Sequence, residues 1–148
     1  MNLAKALKVK NRLSQKIKDM QAEIQVENSK RADAERKISV LEIMNELTSA
    51  VNELIRIKIA IFVASTPKRE SILRLGELKS KIIFLRGIDT TEGLSNQSYS
   101  SIETNYSVVF DNIYVKGEIQ KCEEDIDEIQ EELDQFNHST EIEVWVNS

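Results

Sequence analysis

Between residues 119 and 136 the apolar side chains Ile119, Cys122, Ile126, Ile129, Leu133 and Phe136 recur at steps of three, four, three, four and three. That is a heptad seam, which places one narrow apolar stripe along a helix whose other positions here are nearly all acidic or amide. A helix of this kind lowers its free energy by lying against other helices. No comparably sharp pattern of catalytic, metal-binding or phosphate-binding residues occurs elsewhere in the chain.

The rest of the composition agrees with long helices and few turns. Charged residues make up 30% of the 148 residues and aromatics 5%, with four Gly and one Pro. A chain of this length fits one domain, residues 1–148. The net charge of −5 works against a general nucleic-acid binder, which needs a basic field. One cysteine excludes an intrachain disulfide and a Cys-rich zinc site, and Cys122 on the seam reads as a small buried hydrophobe. No apolar run reaches about 18 residues, so no transmembrane helix is expected. With no secretory h-region at the start, a cytoplasmic location is the default expectation.

Periodicity divides the chain into four helices. Leu3, Leu7, Leu13, Ile17, Met20 and Ile24 form a stripe over residues 3–27, interrupted by Lys10 and ended by Asn28-Ser29. A second helix covers residues 30–64. Val40, Met44, Leu47, Val51 and Leu54 make its clearest seam, widened by Ile38, Leu41, Ile55, Ile59 and Phe62. Its end, through Ile57, Ile59, Ile61, Phe62 and Val63, is apolar almost all round and is expected to be its most buried part, as helix or as strand. Ser65-Thr66-Pro67 reads as the cap of a third helix, residues 67–86, carrying Ile72, Leu75, Leu78, Ile82 and Leu85 and closing at Gly87. Gly76 inside it points to close packing.

Residues 88–101 read as a loop. Val108-Val109-Phe110 and Ile113-Tyr114-Val115, split by Asp111-Asn112, predict a β-hairpin near residues 102–114. A fourth helix over 115–137 follows. Ile142, Val144 and Val146 alternate beyond it, as a further strand or a frayed end.

Charge is distributed unevenly. Lys5, Lys8, Lys10, Arg12, Lys16 and Lys18 precede the first acid, Asp19. In the last helix Glu118, Glu123, Glu124, Asp125, Asp127, Glu128, Glu131, Glu132 and Asp134 face only Lys116 and Lys121. The simplest expectation is that the two helices lie side by side and neutralise each other. The functional alternatives are an anionic surface contact through Lys5, Lys8, Arg12 and Lys16 and a basic partner for the acidic helix.

Enzymatic chemistry has little to work with. His138 is the only histidine and reads as a helix C-terminal residue; the carboxylate pairs lie on solvated faces; neither GxGxxG nor GxxxxGK[ST] occurs. Tyr99, Tyr106, Tyr114 and Trp145 would cover the hairpin rather than stack on a ligand. No cofactor, no metal and no catalytic residue is expected.

Three segments resemble the septicolysin-like family of small bacterial helical proteins. Met1-Asn2-Leu3-Ala4-Lys5-Ala6-Leu7, with Leu13, Ile17 and Asn28, is similar to its start; Gly76-Glu77-Leu78-Lys79-Ser80 with Phe84-Leu85 to its third helix; and Ile129-Gln130, Leu133-Asp134, Asn137 and Thr140-Glu141-Ile142 to its closing motif. Ile61-Phe62-Val63 stands where an Asn-rich end is usual, and His138 where an aromatic is common. The resemblance implies a helical bundle, its family label a pore-forming toxin, and it transfers no functional residue.

The expected protein is all-α: an elongated antiparallel coiled-coil bundle of four helices with a small β-hairpin before the last. A lone bundle of such narrow seams leaves apolar stripe exposed. The expected function is therefore structural or interactive, with the chain associating with itself through Ile57, Ile59, Ile61, Phe62 and Val63 and also able to take another protein. A membrane-active protein is the first alternative, and a nucleic-acid-binding helical hairpin the second.

Overall fold

A computed structural model describes residues 1–36, 38–95 and 102–144. Tyr99, Trp145 and Val146 lie outside the described residues. The elements are four long helices and one two-stranded antiparallel hairpin ahead of the last helix, as the periodicity predicts. They group into two compact units, Met1–Pro67 with Asp134–Ser148, and Lys68–Leu133.

Helix α1, Leu3–Glu27, begins where the Asn2 side chain accepts the Lys5 backbone N–H at 2.9 Å. Asn at this position satisfies a donor that the first turn leaves open. Helix α2 is Val40–Ala64, ten residues later in its start than the periodicity implied. Two local interactions account for the difference. The Arg36 guanidinium donates to the Glu27 and Asn28 carbonyls at the end of α1, holding the intervening chain out of a helix. Ser39 then caps α2, its hydroxyl accepting the Glu42 N–H at 3.3 Å. Ser39-Val40-Leu41-Glu42 has the spacing of a capping box, a signal in the sequence that marks this start.

Ser65 and Thr66 turn the other way from expectation. Rather than capping the following helix, both hydroxyls donate back to the Phe62 carbonyl, at 3.2 and 3.1 Å, and so satisfy the end of α2. A single 3-10 turn, Thr66–Lys68, leads into helix α3, Arg69–Arg86. Beyond its own helical turn, no described residue places a heavy atom within 4 Å of where a Cβ on Gly76 would sit, so close packing is not its reason.

The hairpin lies earlier than predicted. Strand β1, Gly93–Ser95, pairs with β2, Thr104–Tyr106, in the register Gly93↔Tyr106, Leu94↔Asn105 and Ser95↔Thr104. Gly93 opens it at φ +79°, a conformation that favours glycine. Val108–Phe110 pair with no described strand, and Ile113-Tyr114-Val115 are already helical, because Asp111 caps helix α4, Asn112–Ser139.

In the first unit α1 and α2 run antiparallel. Leu3, Ala6 and Leu13 share a cluster with Ile57, Leu54 and Ala60, while Ile17 and Met20 share one with Ala50, Leu47 and Ile43. Phe136 and Ile142 join the first cluster, and the tail pairs with the start of the chain: Leu3 N–H donates to the Thr140 carbonyl at 2.7 Å and Ile142 N–H to the Met1 carbonyl at 2.9 Å. Full burial of Leu3 and Ile57 contributes roughly 1.5–3 kcal/mol each. In the second unit Ile82 and Leu85 of α3 pack with Val115 and Cys122 of α4, with Leu78, Ile119 and Ile126 around them. Lys68, just ahead of α3, pairs with Glu132, and Arg86 at the end of α3 pairs with the earlier Glu123, so α3 and α4 are antiparallel as well.

Candidate functional site

Helix α2 carries two apolar stripes. The first is Ile43, Leu47, Ala50, Leu54, Ile57, Ile61 and Ala64, spaced four and three in turn, and every member is buried or half-buried in the α1 contact. The second, Leu41, Met44, Thr48, Val51, Ile55 and Lys58, has the same three-and-four rhythm displaced by one residue. One residue is about 100° of rotation at 3.6 residues per turn, so the second stripe lies to one side of the α1 contact rather than in it. Its large side chains lie in solvent: Leu41 is 72% exposed and Ile55 51%.

This separation corrects the sequence reading in two places. Val40, Met44, Leu47, Val51 and Leu54 do not form one seam; Met44 and Val51 belong to the exposed stripe and Leu47 and Leu54 to the buried one. The end of α2 is not uniformly buried either. It stays helical through Ala64, with Ile57 fully buried and Ile61 packed against the same core, while Ile59, Phe62 and Val63 are 59%, 63% and 65% exposed. An all-apolar surface on a two-helix contact has only one side to bury. The residues proposed for self-association thus divide between core and surface, and the exposed stripe extends further towards the start of α2 than Ile57 to Val63 suggested.

On α1, Lys5, Lys8, Arg12 and Lys16 fall at i, i+3, i+7 and i+11 and so line one face, all four exposed. Within the first unit no described acid forms an ion pair with them. These four side chains make a solvated basic face on α1. The apolar side of α1, Leu3, Ala6, Leu13, Ile17 and Met20, is occupied by its own unit. Acids of α4 pair within the second unit, Glu132 with Lys68 at 2.5 Å, Glu123 with Arg86 at 3.7 Å and Glu118 with Lys121 at 3.0 Å.

The second unit has an exposed apolar group of its own. Phe110 and Tyr114 stack at 4.6 Å between centroids, beside Val109 and Ile113, both largely in solvent.

Cys122 is a buried free thiol within the α3–α4 cluster. His138 sits in the last turn of α4, where Nδ1 lies 2.7 Å from the Asp134 carbonyl and therefore carries the proton. Among the described residues no three His, Cys, Asp or Glu side chains gather so as to hold a metal ion. Among the described residues Asp89 and Lys121 have displaced titrations, both through local bonds at the surface. The Thr91 hydroxyl and backbone N–H hold the Asp89 carboxyl below its usual range, and the Glu118 carboxylate bonded to Lys121 raises that ammonium. Among the described residues no helix is long and apolar enough to cross a membrane.

No family model, no curated protein and no solved structure matches the chain.

Proposed function

We propose that this protein is non-catalytic and works by self-association through its helical seams, as a structural or interaction module. One observation carries the reading: α2 presents a second heptad stripe, apolar and solvent-exposed, beside the one that builds its core. Exposed apolar surface organised at helical spacing is costly in water and is relieved by a second helix. Sedimentation velocity at micromolar concentration and physiological salt tests this. A discrete oligomer is expected, and a compact monomer throughout would overturn the reading.

The basic face of α1 favours a second reading, contact with an anionic membrane surface through Lys5, Lys8, Arg12 and Lys16. Since the apolar side of α1 is already buried, such contact would be electrostatic rather than insertive. Co-sedimentation with phosphatidylserine vesicles, lost on converting Lys8 and Lys16 to Glu, would support it; indifference to the vesicles would count against it. Nucleic-acid binding through the same face ranks below both, given the net charge of −5.

A further inference from the structure

We propose that the exposed stripe of α2 pairs with the same stripe of a second copy, the two helices antiparallel about a two-fold axis near Val51. The proposal rests on the self-association reading above and specifies its surface, partner and orientation.

The stripe suits a copy of itself. Leu41, Met44, Val51, Ile55 and Ile59 share one side of α2, and the polar positions among them, Asn45, Thr48 and Asn52, are uncharged. A self-pair is isologous, so each residue meets its own surroundings in reverse, and a charge in the contact would face its like near the axis. The central turns of this stripe contain none. Five side chains that each leave on the order of 100 Å² in solvent give about 1,000 Å² for a pair of copies, the size at which specific interfaces begin. The intervening Asn45, Thr48 and Asn52 would add to it.

Orientation follows from the cations that edge this face in its last turns, Arg56 on one side and Lys58 on the other, with Lys58 in heptad step with Val51 and Ile55. A parallel pair would set Lys58 against Lys58 inside the contact, with two ammonium groups losing water and repelling each other. An antiparallel pair separates them to opposite ends. Each Lys58 stem then lies along the partner's opening turns near Leu41 and Met44, with its ammonium free to reach water. Antiparallel helices also oppose their macrodipoles.

The test uses the full chain with Cys122→Ala, spin-labelled at Asn52→Cys or at Val63→Cys, and measures the distance between copies. The pairing predicts a short separation at residue 52 and one larger by ~30 Å or more at residue 63, from 1.5 Å of rise per residue on each helix. Equal short distances at both sites would mean a parallel pair and overturn the orientation. In parallel, Ile55→Glu is expected to weaken association at least tenfold while leaving helical content unchanged, because Ile55 is half-exposed within its own unit. An oligomer that survives Ile55→Glu and shows no short distance at residue 52 would overturn this surface and leave the self-association reading standing. A monomer at every concentration would remove both.

Discussion

The Asp111 carboxylate accepts the Tyr114 backbone N–H at 2.7 Å, and its own carbonyl accepts the Val115 N–H at 3.1 Å. Those two bonds convert a sequence rich in strand-forming residues into the first turn of α4. Asp111-Asn112 looks like a turn between two short strands, yet Asp is also among the best residues for opening a helix.

Removing that carboxylate isolates its contribution. Asp111→Ala is expected to destabilise the protein by about 1 kcal/mol, while Asp111→Asn, which keeps an accepting oxygen, should cost much less. Urea denaturation of the two variants checks the difference. Amide exchange at residues 113–115 should quicken in the alanine variant alone.

Ile57 and Ile59 separate core from surface within two residues of one helix. Ile57→Ala should cost about 2–5 kcal/mol, since it opens a cavity in the α1–α2 contact. Ile59→Ala should stay within about 0.5 kcal/mol at concentrations where copies are dissociated. Equal losses at both positions would show that α2 buries a different face.

Cys122 tests the packing of the second unit. Cys122→Ser places a hydroxyl among Ile82, Leu85 and Val115 and should destabilise by about 1–3 kcal/mol if no partner reaches it. In the native protein the thiol should react slowly with an aromatic disulfide reagent and become fully reactive in denaturant. Immediate native reactivity would contradict its burial.

Asp89 gives a pH dependence of known sign. Its folded titration lies below the ordinary carboxylate value because the Thr91 hydroxyl and N–H favour the ionised form. The turn it forms is therefore stabilised above the ordinary value, and that contribution is lost as pH falls through the lowered folded value. Carbon-detected NMR of the Asp89 carboxyl should show the low midpoint, and Thr91→Val should move it upward.

Much of the fold is legible in residue spacing. The stripe from Ile119 to Phe136 marks α4, and Cys122 within it is buried as its position requires. Leu3 to Ile24 marks α1 to within its observed ends. What the spacing obscures is local bonding: Arg36 reaching back to Glu27, the hydroxyls of Ser65 and Thr66 serving the helix behind them, and Asp111 choosing helix over hairpin. Each such side chain has two compatible uses, and the backbone groups near it decide between them.

The candidate surface shows the same division. Sequence by itself determines that α2 is apolar on more than one side, because Leu, Ile, Val and Met occupy both of its offset stripes. It does not choose between them, since either one satisfies a heptad. The tertiary structure makes that choice: α1 buries Ile43, Leu47, Leu54 and Ile57, and a helix can present only one side to one neighbour. Burial against α1 makes one stripe core and leaves Leu41, Val51 and Ile55 as surface.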